Sequence, residues 1–145
     1  MSLKLVSIVG LVVLVAALTM LIVGHALIGE SPIPIGVQIL SFSLMVWARV
    51  TFGARSFHAT ANPTEGGVVT SGPYRFVRHP IYAAALSFTL AGVLSHISII
   101  NLVLGVCAVA GAGLRIVAEE KLLVQRYPEY KEYANRTKRI IPFLV

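Results

Sequence analysis

"GPYRFVRHPIYAA", residues 72–84, decides how this chain is read. Arg75, Arg78 and His79 stand directly before Pro80, and a long apolar run follows. Proline suits the first turn of a helix, where its missing N–H would have no partner anyway. Its ring pushes the preceding residue towards extended geometry, so His79 is expected at the cap. The free N–H groups of a helix start form a positive pole that favours anions. With the arginines beside it, this corner suits a carboxylate or a phosphate. Arginines at a membrane boundary also act as topology determinants that touch lipid phosphate.

The apolar run after Pro80 is one of several. The chain has 145 residues, of which 57% are hydrophobic and only 12% charged. Soluble domains carry about 25% charged residues, so the composition is that of a membrane protein. The expected fold is all-α, a single domain over residues 1–145 with four transmembrane helices at about 4–28, 33–52, 80–95 and 97–118. The first run exceeds the roughly 7–15 residues of a signal-peptide core and reaches the roughly 20 needed to cross a bilayer. It is therefore expected to be a retained span. Ser31-Pro32-Ile33-Pro34 opens the second. A cytoplasmic loop over 53–79, rich in Gly, Pro, Ser and Thr, separates the second from the third, and a polar tail occupies 119–145. The turn at Ser95-His96 is short, which makes the last two spans an antiparallel hairpin.

Charge sets the orientation. All 12 Lys and Arg lie at the N-terminus, in or beside the 53–78 loop, or from Arg115 onward. Four spans put those segments on one side, which the positive-inside rule makes the cytoplasm. The net charge of +6 therefore points to membrane lipids rather than nucleic acid. The single cysteine, Cys107, leaves no intrachain disulfide to form.

A second charged cluster, "GLRIVAEEKLL", covers 113–123. Arg115 and Glu119 are four apart and share a helix face. Glu119 and Glu120 would oppose the helix dipole if the helix stopped there, so it is expected to continue to about Tyr127. A short hairpin makes the start of span three level with the end of span four. His79 and Tyr82 are then expected beside Arg115 and Glu119, in a corner that suits a ligand carrying both signs of charge.

Three blocks, "VVTSGPYRFVRHPIY", "RIVAEE" and "YPEYKEYANRTKRIIP", resemble the isoprenylcysteine carboxyl methyltransferases and their phospholipid N-methyltransferase relatives. The resemblance covers roughly residues 47–143 and implies an S-adenosylmethionine-dependent membrane methyltransferase without a Rossmann sheet. It implies that the cofactor is held by Gly67, Val68 and Val69, by Tyr74, by His79, Pro80, Ile81 and Tyr82, and by Glu119 and Glu120. Arg115 is implied to face the substrate as the catalytic residue. Family members often have glycine where Ala84 stands here. The chain also lacks the additional N-terminal helices of the eukaryotic enzymes, so the resemblance carries over the chemistry more directly than the prenylcysteine substrate.

Transfer from a sulfonium needs alignment and exclusion of water more than a protein nucleophile. A carboxylate acceptor needs no general base, and guanidinium forks match carboxylates. This favours O-methylation of a lipophilic or lipid-linked acid. Phospholipid or other amine N-methylation is the alternative, and a non-catalytic membrane scaffold is the alternative of another class.

Tyr127, Tyr130 and Tyr133 recur at three-residue spacing, as an interfacial aromatic belt or as part of a lid over the cofactor. Arg136, Lys138 and Arg139 are expected on lipid phosphates, and "IIPFLV" at 140–145 is apolar enough to dock on the membrane or the bundle. His25 and His96 are expected at the membrane interface. His58 has no Cys or His partner at ligand spacing, so no metal site is expected.

Overall fold

A computed structural model describes residues 2–53 and 67–141. His58 and residues 142–145 lie outside the described residues, as does most of the expected loop. The described chain is all-helical: α1 (Leu3–Val23), α2 (Pro32–Phe52), a 3-10 helix (Gly72–Arg75), α3 (Pro80–Ser95), α4 (Ile99–Arg126) and α5 (Tyr130–Arg136).

Three of these, α1, α2 and α4, are long and apolar enough to cross a membrane. The third expected span, α3, is an apolar helix of 16 residues. At 1.5 Å per residue it is about 24 Å long, short of the roughly 30 Å hydrocarbon core. The fourth runs past residue 118 to Arg126, so Glu119 and Glu120 sit inside a helix rather than at its end.

The first helix stops earlier than its apolar pattern suggests. Hydropathy runs on to Ile28, but α1 ends at Val23. The Ala26 N–H bonds the Leu21 carbonyl at 2.8 Å, and the His25 N–H bonds that of Ile22 at 3.0 Å. This is a Schellman closure, with His25 at φ 52° in the left-handed position that glycine usually takes. His25 is thus a turn residue. The apolar stretch beyond it folds back against the bundle, with Ala26 buried.

Side chains secure that connection. Gln38 on α2 donates to the carbonyls of Leu27 at 2.7 Å and Phe88 at 3.1 Å, and its Oε1 accepts from the Gly29 N–H at 2.9 Å. His96 Nε2 lies 2.7 Å from the Ile28 carbonyl, and Ser95 Oγ accepts from the Glu30 N–H at 2.9 Å. His96 therefore pins a backbone turn rather than simply facing an interface. Gly92 on α3 makes room for this chain: a Cβ there would stand 2.1 Å from the Leu27 carbonyl oxygen.

The helices pack as α1 on α4, α4 on α3 and α3 on α2. Large apolar side chains such as Val12, Leu40, Val50 and Val106 point outward, while Ala17, Ala108 and Ala112 fill the interior. Lipid tails are as apolar as leucine, so helices in a bilayer gain from close packing of small residues. The closest α1–α4 approach is at Gly10 and Gly111, where a Cβ on either would lie within 2.7 Å of the other's carbonyl oxygen. This packing brings the start of α3 and the last turns of α4 to one end of the bundle.

Candidate functional site

Pro80 opens α3 as its first residue, with His79 at the N-cap in a non-helical conformation. One turn on, Tyr82 faces α4. Its hydroxyl donates to Glu119 Oε1 at 2.6 Å. Arg115 Nε donates to the same hydroxyl at 2.6 Å, and Arg115 Nη2 reaches Glu119 Oε1 at 3.1 Å. Guanidinium, phenol and carboxylate form a closed triangle, with Arg115 buried. The helical spacing of Arg115 and Glu119 supplies one side; the tertiary contact with Tyr82 supplies the other two.

Glu119 is only partly spent. Its Oε2 lies 3.9 Å from His79 Nδ1 and makes no hydrogen bond among the described residues. One carboxylate oxygen remains to accept from a ligand.

Glu120 behaves differently. Its Oε1 accepts from Arg78 Nε at 2.9 Å and lies 3.4 Å from His79 Nε2, and its Oε2 accepts from Arg139 Nε at 3.0 Å. The resemblance implies Glu120 for the cofactor. Here both its oxygens are engaged by protein cations, which makes it an anchor. Arg78 is likewise turned inward, and its Nη1 also donates to the carbonyls of Ala134 and Thr137 at 2.5 Å each.

Several of these arginines meet the protein's own carboxylates. Arg78 and Arg139 hold Glu120, Arg136 pairs with Glu132, and the exposed Arg75 lies over the Phe76 ring. Adjacent carboxylates on one helix need cations, and the fold supplies them from within.

These pairs tie the tail down. Val77 and Lys138 form an isolated parallel bridge, with Arg78 N–H to Lys138 O at 2.7 Å and His79 N–H to Arg139 O at 2.9 Å. Ile140 packs against the α1–α4 core. Tyr130 is buried and contacts Tyr133 edge to face, while the Tyr133 hydroxyl donates to the Tyr74 carbonyl at 2.6 Å. Tyr130 is thus buried, and Tyr133 is half-buried beside it at the edge of the groove.

The segment before α3 forms the remaining wall. Gly72, at φ 55°, makes the turn into the 3-10 helix, where a Cβ would collide with the Thr51 side chain. Tyr74 follows, buried against Phe52, and its hydroxyl has no partner among the described residues. Burial pushes the Tyr74 phenol above its ordinary range and the Tyr133 phenol up to about 12. Both remain protonated donors at neutral pH.

Val68 and Thr70 line an open groove of about 400 Å³ with Tyr133 and Thr137 opposite. Val69 and Ile81 are half-buried, and Ala84 is buried within α3. Of the residues implied for the cofactor and substrate, His79, Tyr82, Arg115, Glu119 and Glu120 thus form one bonded cluster. Tyr74 is buried in the segment before α3, and of residues 67–69 Val68 lines the groove. Sequence reasoning missed the inward roles of Arg78 and Arg139; the only signal for them was the paired glutamates. Among the described residues no group of three or more His, Cys, Asp or Glu could hold a metal ion.

The chain is 35% identical over 78 residues to the cobalt-zinc-cadmium resistance protein CzcN of Cupriavidus metallidurans. That match covers 53% of this chain and 36% of the relative's length, so the chain spans about a third of it. No solved structure matches. The model of the isoprenylcysteine carboxyl methyltransferase (ICMT) family matches residues 34–125, which include α3, all but the last residue of α4 and the Arg115–Tyr82–Glu119 triangle. The chain belongs to the isoprenylcysteine carboxyl methyltransferase family.

Proposed function

We propose that this protein is an integral-membrane methyltransferase that uses S-adenosylmethionine and methylates a lipophilic acid at the membrane face. The observation that carries this reading is the triangle of Arg115, Tyr82 and Glu119 at the end of an apolar bundle. It sets a buried guanidinium beside a carboxylate with one unbonded oxygen.

The residues present fit the cofactor. It carries an ammonium, a carboxylate and ribose hydroxyls beside its sulfonium. Glu119 Oε2 offers an acceptor, and the unpartnered Tyr74 hydroxyl offers a donor. His79, Pro80, Ile81 and Tyr82 at the start of α3, with Gly67, Val68 and Val69, would complete its binding site. When bound, S-adenosylmethionine supplies a methyl group already activated on a sulfonium.

The chain's own residues align and enclose. Arg115 orients the acceptor carboxylate, since its planar fork matches that group. Tyr82 fixes the guanidinium against Glu119. The tail, held through Glu120, covers the site and excludes water. No proton need leave a carboxylate acceptor, and His79 is already held between Glu119 and Glu120.

The membrane topology that accompanies this reading has four spans, α3 included. Both termini and the site face the cytoplasm, and residues 1–145 act as one domain. The positive-inside distribution of Lys and Arg supports that orientation. The acceptor's tail would stay in the bilayer while its head reaches Arg115.

The test uses the full chain in lipid nanodiscs. S-adenosylhomocysteine should bind, and radiolabelled methyl should pass from S-adenosylmethionine to prenylcysteines or other lipophilic acids. Absence of cofactor binding would refute the methyltransferase reading. Transfer to phosphatidylethanolamine alone would replace the carboxylate acceptor with an amine.

A further inference from the structure

α1 turns one seam towards α4. Its buried residues Ser7, Gly10, Leu14, Ala17 and Leu21 recur at steps of three and four, the spacing of a packed helix pair. The buried residues of α4 include Ala108, Gly111, Ala112, Arg115 and Ala118, and Arg115 is the one charged residue among them. The same arginine bonds Tyr82 and Glu119. The seam that holds α1 to α4 therefore also backs the site.

The two glycines of this seam differ in what they touch. A Cβ on Gly10 would stand 2.6 Å from the Gly111 carbonyl oxygen and 3.1 Å from both the Arg115 Cγ and the Leu114 Cβ. A Cβ on Gly111 would stand 2.7 Å from the Gly10 carbonyl oxygen, 2.8 Å from the Leu14 nitrogen and 3.2 Å from the Leu14 Cβ. Both glycines admit the opposite backbone at nearly the same distance. Only Gly10 has an Arg115 atom among its three nearest neighbours.

That contact bears on the guanidinium. A long arginine side chain has many rotamers to lose, and its hydrogen bonds hold only the head. Tyr82 on α3 takes Nε, and Glu119 takes Nη2. The stem lies against bare α1 backbone at Gly10. With no side chain there, α1 comes close enough to close off the space behind the Cγ. Head and stem are thus fixed from opposite sides, by different helices.

We propose that Gly10 is a positioning residue for the reaction: by letting α1 close on the Arg115 stem, it sets the angle at which the guanidinium meets the acceptor. α1 is then part of the frame of the acceptor site as well as an apolar helix of the bundle. Gly10 precedes residues 34–125, the part that the family model matches, and it precedes the three sequence blocks that carry the resemblance. The inference rests on the methyltransferase reading, with Arg115 facing the acceptor.

The experiment compares wild type, Gly10→Ala, Gly111→Ala, Arg115→Ala and the double variant Gly10→Ala/Arg115→Ala as full chains in nanodiscs. Thermal melting, S-adenosylhomocysteine calorimetry and steady-state methyl transfer to the identified acceptor are the readouts. Both glycine variants crowd the seam, so both should melt below wild type. A misplacement of about 1 Å can cost about a hundredfold in rate. A Cβ at 3.1 Å asks the Arg115 stem to give by a few tenths of an ångström, so Gly10→Ala should lose about tenfold in kcat/KM. Its affinity for S-adenosylhomocysteine should change by less than about threefold. Folded Gly111→Ala should keep kcat/KM near wild type. In the Arg115→Ala background the loss from Gly10→Ala should vanish, because the stem it acts on has gone.

An equal loss in Gly111→Ala, an undiminished loss in the Arg115→Ala background, or wild-type kcat/KM in folded Gly10→Ala would each overturn the proposal. If Gly10→Ala does not fold, nuclear magnetic resonance on arginine-labelled protein reads the contact instead. The Arg115 Cγ protons should show a nuclear Overhauser contact to the Gly10 α-protons in wild type, and should stay as ordered in Tyr82→Phe. A missing contact, or a stem that becomes mobile once its Tyr82 bond is removed, would overturn the positioning role. Absence of methyl transfer by the wild type would instead overturn the methyltransferase reading beneath it.

Discussion

Tyr82 and Glu119 stand 37 residues apart and are joined by a 2.6 Å hydrogen bond across the seam between α3 and α4. The same phenol accepts from Arg115 Nε at 2.6 Å. It is at once donor to an anion and acceptor from a cation, which gives it one orientation. Any substrate-facing role of Arg115 and any cofactor-facing role of Glu119 are therefore coupled through Tyr82.

Tyr82→Phe should uncouple them. The ring still fills its place, but Arg115 loses an acceptor and Glu119 a donor. Hydrogen bonds to charged groups are worth about 2 kcal/mol, so kcat/KM should fall roughly thirtyfold. A steady-state assay on the acceptor identified by methyl transfer would read this. Wild-type activity would show that the junction does not serve the reaction.

Arg115→Ala separates the two roles. Turnover should fall by at least about a hundredfold, as a charge-assisted contact worth about 3 kcal/mol is lost. S-adenosylhomocysteine affinity, measured by calorimetry, should change by less than about threefold. Parallel losses of both would contradict the division between Arg115 and Glu119.

Glu120→Ala is a stability variant. It leaves Arg78 without its carboxylate, and removing one partner of a buried pair costs about 3 kcal/mol or more. Arg78 and Glu120 keep 11% and 13% of their side chains exposed, so the lower figure applies. A thermal melt in detergent should shift down, and protease should cut the released tail sooner. Glu119→Gln should weaken cofactor binding with a much smaller shift in melting temperature.

Gly92→Ala probes the end of the bundle away from the site. The added methyl would meet the Leu27 carbonyl oxygen at 2.1 Å, and such overpacking costs about 2 kcal/mol. The melting temperature should drop while the activity of the folded fraction stays near wild type. A variant as stable as wild type would mean the connection after α1 yields without cost.

Much of the fold is legible in local pattern. Pro32 and Pro80 mark helix starts, and both helices begin there. The apolar runs give the long helices, and the four-residue spacing of Arg115 and Glu119 gives their ion pair. The end of α1 was not legible, because hydropathy does not register the left-handed turn at His25. The aromatic spacing in the tail did not say that Tyr130 is buried while Tyr133 stays half-buried, since a belt and a packed cluster can share one period.

By itself the sequence determined that this chain is helical, that it belongs in a bilayer and that cationic and acidic residues flank its apolar runs. These follow from composition and short-range spacing, which act over a few residues. Only the tertiary structure decided which charges meet. Glu120 takes Arg78 from 42 residues away and Arg139 from 19 away, leaving Glu119 to Tyr82 and Arg115. Two neighbouring carboxylates look alike in one dimension. Burial forces each to find its own partners, and the helix turn of about 100° between them sends one towards the tail and the other towards the site.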